Sequence, residues 1–160
     1  MFDVIAIGSA TRDNYLKAKY KLIDWKDAPS GKAIALPFGE KLELDQVFST
    51  VGGNAANAAV TFVKAGHDTA IFSKIGDDAA GRLFTEQMEE AGVSTKLVVK
   101  TKEKPTAFSA LLLGDSERTI LGYHGASDTF TMADASLKKL KAKWWYLSLA
   151  GESDAMFLPL

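Results

Sequence analysis

The chain has 160 residues, of which 47% are hydrophobic and 24% charged, with a formal net charge of -1. That length suits one α/β domain with a sizeable core, and the near-neutral charge argues against nucleic-acid or membrane-surface partners. With no cysteine and only His67 and His124 as imidazoles, disulfides and thiol chemistry are excluded and a zinc site is not expected.

Val4–Ile7 is a short β-branched apolar run closed by Gly8, the pattern of a strand buried on both faces of a parallel sheet. No basic leader precedes it and it is too short for a signal core or a membrane span, so a cytoplasmic protein is expected. From Tyr15 to Leu22 apolar residues alternate with Lys17, Lys19 and Lys21, which predicts a half-exposed strand. Lys32–Leu36 and Lys41–Phe48 read as two further short strands around Pro37-Phe38-Gly39, completing a small antiparallel insert. The Ala-rich run Ala55–Ala65 predicts a helix stopped by Gly66, the usual place for a left-handed terminating residue. Ala70–Ile75 predicts a strand, and Asp77-Asp78 precede a helix over Ala79–Ala91 that Gly92 stops. Their place before a helix makes the two carboxylates capping groups rather than an acid–base pair. Lys96–Val99 follows as a strand, and Thr106–Leu113 with Arg118–Tyr123 form a hairpin returning to the insert. Thr131 and Asp134 have nearly the spacing of a capping box at a short helix, and Trp144–Leu149 supplies another core strand. Strands alternating with helices imply a mostly parallel sheet covered on both faces, with ligands at the carboxyl ends of its strands.

The stretch Gly52-Gly53-Asn54-Ala55-Ala56-Asn57 carries the most chemistry. Two glycines ahead of a helix let a ligand approach the backbone, and the positive helix end favours hydroxyl or anionic oxygens. The Asn57 amide, one turn in, both donates and accepts. With Gly66 and Gly76 downstream, this spacing resembles the N-terminal signature of the ribokinase-type (PfkB family) carbohydrate kinases. Gly8-Ser9-Ala10-Thr11-Arg12-Asp13 is similar to the family segment in which an aspartate accepts hydrogen bonds from two sugar hydroxyls. Asp13 is thus a substrate ligand or, on local grounds alone, a turn cap. Phe108 either packs against the sugar or belongs to ordinary core; Arg118 either meets an anionic substrate group or is a solvated turn arginine. His124 is equally open.

The resemblance implies a three-layer Rossmann-like ribokinase fold, a parallel sheet flanked by helices, with a small antiparallel β lid. Residues 1–13, 51–104 and 126–160 would form an incomplete α/β core, and 14–50 with 105–125 the lid. The implied substrate surface is Asp13, Gly52, Gly53, Asn57, Phe108 and Arg118. In the family the phosphate-transfer parts resemble a Gly-Ala-Gly-Asp segment and an Asn-x-x-Glu; neither occurs here, where Asn is found only at 14, 54 and 57. No catalytic residue is therefore expected in this chain, and ATP and Mg²⁺ are expected only for a full-length enzyme. The apolar segment at 155–160, which reads as the start of a helix, suggests a C-terminal part absent from the chain. A naturally short, non-catalytic sugar-binding or dimerisation module is the alternative, and dimeric relatives suggest a homodimer through the lid. A dinucleotide-binding oxidoreductase is disfavoured, because Gly-Ser-Ala-Thr follows the first strand in place of Gly-x-Gly-x-x-Gly.

Overall fold

The structure, a computed structural model, describes residues 1–114, 117–134 and 139–148. Leu149, the apolar segment at 155–160 and the Asp115-Ser116 part of the hairpin turn, for each of which the sequence carries an expectation, lie outside them. Strand β1 (Phe2–Gly8) is central in a three-stranded parallel sheet, between β6 (Thr69–Phe72) and β11 (Ala142–Ser148). Ile5, Ala6 and Ile7 are fully buried, as a strand covered on both faces requires.

Alternation along β1 divides the core in two. On one face Ala6 and Ile71 meet Ala55, Ala56 and Ala59 of helix α1 (Asn54–Lys64) and Phe84 and Met88 of helix α2 (Ala79–Glu90). The alanines let α1 lie close against the sheet. On the other face Ile5, Ile7, Ala70 and Phe72 meet Phe130 and Leu140, with Leu97 and Val99 at the margin, and Phe72 and Phe130 touch edge to face with centroids 4.6 Å apart. Among the described residues both α-helices therefore cover the same face. The opposite layer is built from 3-10 turns at Gly125–Thr129 and Met132–Asp134. Both helices end as expected, with Gly66 and Gly92 at positive φ just beyond them.

The expected strand at Ala70–Ile75 is broken at Ser73, whose Oγ donates to Gly8 O at 2.6 Å. The chain then leaves the first sheet and pairs in parallel as β7 (Lys74–Gly76) with β8 (Val99–Thr101). Lys74 reaches the opposite layer, donating to Thr129 O at 3.0 Å and pairing with Asp134 at 2.9 Å. The other Asp134 oxygen accepts from Thr131 N at 2.8 Å, the capping interaction its spacing predicts.

A second sheet contains β2 (Thr11–Lys17), β5 (Gln46–Gly52), β9 (Ala107–Leu113) and β10 (Arg118–Tyr123) in the order β10-β9-β2-β5. The sheet expected to be antiparallel is mixed, because β2 and β9 run parallel. Both enter it from the first sheet's side, so they must point the same way. The strand predicted over Tyr15–Leu22 is interrupted at Ala18–Tyr20, where the Tyr20 hydroxyl donates to Leu16 O at 2.9 Å. The chain resumes as β3 (Lys21–Asp24), paired with β4 (Lys32–Ala35) in a separate, largely exposed hairpin. The predicted strand at Lys41–Phe48 starts only at Gln46.

If Phe130 closes the second face of the first sheet, Phe72→Ala should lower unfolding free energy by about 3–5 kcal/mol in urea titrations. A loss below about 1 kcal/mol would show that the cavity collapses and that this layer is not tightly packed.

Candidate functional site

The corner where β1 ends is the place to which two later segments return. Gly8 leaves β1 with φ 149°, and a Cβ there would meet Ser148 O at 2.1 Å. Two residues on, the chain enters β2, and β5 comes back alongside it with Thr11 opposite Gly52 and Asp13 opposite Thr50. Gly53, at φ 100°, then turns the chain into α1. Gly53 is required by space and by conformation, Gly52 by space alone. A Cβ on Gly52 would lie 2.1 Å from Asp13 Oδ2, and one on Gly53 would lie 2.3 Å from Ser9 O. No side chain caps α1 at Gly53. Instead Ser9 Oγ accepts from Asn54 N at 3.2 Å, and Gly53 O accepts from Asn57 N at 2.9 Å. The positive end of α1 thus opens onto the Asp13 carboxylate, whose Oδ1 accepts from Thr11 Oγ1 at 2.9 Å.

Asp13, Gly52 and Gly53 share this corner, with exposed Asn57 one turn into the helix. The remaining predicted site residues lie apart. Phe108 pairs with Arg12, one residue out of step with Asp13, so strand alternation turns it to the opposite face, where it is 44% exposed. Arg118 is exposed and pairs with Leu113. It lies four positions along β10 from Gly122, which is in line with Asp13 through Ser109, a separation of about 13 Å along the strand. His124 is exposed just before the 3-10 turn at Gly125–Thr129.

Three hydroxyl residues that the sequence reading passed over flank the carboxylate. Thr11 is two residues before Asp13, and Thr50 and Ser109 are its cross-strand neighbours. Tyr15 and Phe48, stacked with centroids 4.3 Å apart, come next on the same face. Counting in twos from Asp13 would have found Thr11 and Tyr15. Ser109 required the pairing of strands far apart in sequence.

Asp78 is the N-cap that its position predicts, accepting from Gly81 N at 2.7 Å, and it also accepts from Thr106 N and Thr106 Oγ1, each at 2.8 Å. Burial acts to raise the Asp78 carboxyl, but the donations from Thr106, Gly81 and Ala80 outweigh it and hold the group below the ordinary aspartate value of 3.8. Asp3 is held low by the hydrogen bond from Lys143, helped by the Asp68 amide.

The corner is an open wall. Two surface hollows lie elsewhere, one of about 310 Å³ beside Phe72 and Leu140 and one of about 330 Å³ beside Phe62, Trp144 and Tyr146. Among the described residues no group of three or more His, Asp or Glu is placed to hold a metal ion, and the corner's one carboxylate with neutral donors does not fit Mg²⁺ and a nucleotide triphosphate. Nor is any helix there long and apolar enough to cross a membrane.

Residues 3–157 match the pfkB family carbohydrate kinases, and the chain belongs to that family. It is 25% identical over 101 residues to a ribokinase of Mus musculus, covering 63% of this chain and 31% of that protein. It is 27% identical over 154 residues to a 5-dehydro-2-deoxygluconokinase of Lacticaseibacillus casei, covering 94% of this chain and 41% of the relative. The fold superposes on Arabidopsis thaliana ribokinase complexed with ribose and ATP with a TM-score of 0.65 and 24% identity, over 82% of this chain and 38% of the other. The chain thus spans well under half the length of these relatives.

Two measurements check the geometry. Gly52→Ala should displace the Asp13 carboxylate and lower stability by about 1–3 kcal/mol in thermal or urea unfolding. Because the Asp78 carboxyl is depressed on folding, its stabilisation is present above the ordinary aspartate value and is lost as pH falls through and below 3.8. Asp78→Asn should therefore be less stable than the parent at pH 7, with the gap narrowing toward pH 3; a gap independent of pH would contradict the assignment.

Proposed function

We propose that this chain is the acceptor-binding portion of an ATP-dependent kinase that transfers the γ-phosphate to a hydroxymethyl group of a sugar or nucleoside. The observation that carries the reading is the crowding of Asp13 against Gly52 beside the start of α1, whose N-cap residue Gly53 has no side chain. A carboxylate offers only acceptors, so it suits two neighbouring sugar hydroxyls. The absent side chains of Gly52 and Gly53 make room for the Asp13 carboxylate and the Ser9 carbonyl, and the Asn57 amide can serve a third hydroxyl in either sense. Membership of a carbohydrate kinase family supports the same substrate class. The reading does not need Phe108 or Arg118.

Phosphoryl transfer further requires a base at the accepting hydroxyl and stabilisation of the transferring group. These residues supply neither, so ATP, Mg²⁺ and the catalytic group belong to the whole protein, which we place in the cytoplasm. The chain's part is to bind and orient the acceptor, with the second sheet acting as a lid that excludes water. In this division residues 1–13, 51–104 and 126–160 serve as core, and 14–50 with 105–125 as lid.

Calorimetric titration of the purified chain with D-ribose and D-fructose tests the reading. Asp13→Ala should weaken whichever sugar binds by about tenfold to a hundredfold, the loss of charge-assisted hydrogen bonds. With ATP and Mg²⁺ added, no turnover is expected; sugar phosphorylation by this chain would refute the division of labour. A second reading, a dimerisation module without acceptor binding, is favoured by the exposed Val47, Phe48, Ile120 and Leu121 on the second sheet, each more than half exposed. Dimers in analytical ultracentrifugation with no heat on sugar titration would support that reading over the first.

A further inference from the structure

The chain passes between the two sheets a second time at a place where none of the candidate acceptor ligands lies. The passage into β9 runs through Pro105-Thr106, and the passage out of β10 through His124-Gly125-Ala126. These meet: Ala126 N donates to Pro105 O at 2.8 Å, and a Cβ on Gly125 would lie 2.3 Å from that same oxygen. The joined strands are then tied to α2. Thr106, only 4% exposed, donates its N–H and its hydroxyl to Asp78, while its Oγ1 accepts from Gly76 N at 3.0 Å. There is no slack in this arrangement. A Cβ on Gly76 would lie 2.5 Å from Thr106 N, and one on Gly81 would lie 2.2 Å from Gly76 O.

From this geometry we infer that Asp78 is a positioning residue for the acceptor site, holding the root of β9 and through it the height of Asp13. The link is the strand register. Thr106 immediately precedes Ala107, which pairs with Thr11, and Ser109 pairs with Asp13. Releasing Thr106 would free β9 to tilt, and β2 with it. The second sheet's contacts with α2 are otherwise few; one is the Gln87 side chain accepting from Val51 N at 3.2 Å. The role rests on the acceptor-binding reading above and adds to it a residue that acts through β9 and not through the diglycine.

Capping and clamping can be separated by substitution. Serine caps a helix nearly as well as aspartate, but its single hydroxyl cannot also hold both Thr106 groups, so Asp78→Ser keeps the cap and removes the clamp. Thr106→Val removes the hydroxyl half of the clamp from the other side and leaves the backbone amide on Asp78, and Thr106→Ser restores the hydroxyl. Hydrogen exchange on the whole chain, read amide by amide, should show Ala107–Ser109 and Ala126 exchanging about tenfold faster in Asp78→Ser and Thr106→Val. Protection in α2 should be unchanged, and Thr106→Ser should match the parent. Calorimetry with whichever of D-ribose and D-fructose the parent binds should show weaker binding by the two clamp variants alone. Unchanged exchange at Ala107–Ser109, or equal loss of protection in α2 and β9, would overturn the inference and leave Asp78 as a cap. Faster exchange with undiminished sugar affinity would likewise overturn the positioning role. If the parent chain binds neither D-ribose nor D-fructose, the functional reading fails, and the exchange result alone still decides whether Asp78 holds the strand.

Discussion

Where the chain crosses between the two sheets, backbone meets backbone without a side chain between. The chain crosses from one sheet to the other near Ser9–Ala10, Gly53, Pro105–Thr106 and Gly125, and at each crossing a glycine stands where a Cβ would lie within 2.5 Å of another segment. At the first pair of crossings Gly53 abuts Ser9; at the second, Gly76 and Gly125 abut Thr106 and Pro105. Such approaches replace side-chain packing by hydrogen bonds and van der Waals contact between main chains, which define relative position more sharply than interdigitated apolar groups do. The second sheet has little else to hold it. Its β10 residues are exposed throughout, whereas β1 is almost wholly buried. Orientation of the sheet is thus set at its roots.

That arrangement explains why a carboxylate keeps spare acceptors at one root and is largely engaged at the other. Asp13 has a single described side-chain donor, Thr11, so much of its acceptor capacity faces outward. Asp78 accepts from Gly81, from the Thr106 amide and from the Thr106 hydroxyl, and its acceptor capacity is largely used. The same functional group, at equivalent corners of one fold, differs in role because its neighbours differ in donors. A carboxylate with three protein donors is a structural element; one with a single donor beside a helix start has vacancies for a ligand.

Local features were legible in the sequence because their causes are local. The buried run Val4–Ile7, the helix stops at Gly66 and Gly92, and the Asp78 cap all follow from residues within a turn of one another. The diglycine was legible for the same reason, whereas the nearness of Asp13 to it was implied by the family resemblance and arises from the pairing of β2 with β5. What escaped depended on distant partners. Ser73 breaks its strand because its hydroxyl reaches Gly8, and β2 lies parallel to β9 because both leave from one edge of the fold. Phe108 and Arg118 were singled out because their segments resemble family ones, yet their placement is decided by register: an offset of one residue turns Phe108 away from Asp13, and an offset of four carries Arg118 along the strand. Asp78 was understood by half, since Thr106 lies 28 residues further along.

On the acceptor-binding reading proposed above, the form of the corner follows from how phosphoryl transfer must be arranged. An acceptor hydroxyl has to be held in line with the donor phosphate, so acceptor and donor surfaces face each other across the reacting atoms. A chain that carries one surface presents a wall with unused acceptors and a helix start. Asp13 and α1 have that form, and the 41% or less of its curated kinase relatives that the chain spans leaves ample sequence for the opposing surface. Affinity for the acceptor should then come from a few strong hydrogen bonds to one side of the ring, with modest apolar burial until the second sheet or the opposing surface covers it. Selectivity among sugars would depend on whatever covers the other side, so the corner itself recognises a pattern of hydroxyls more than one particular ring.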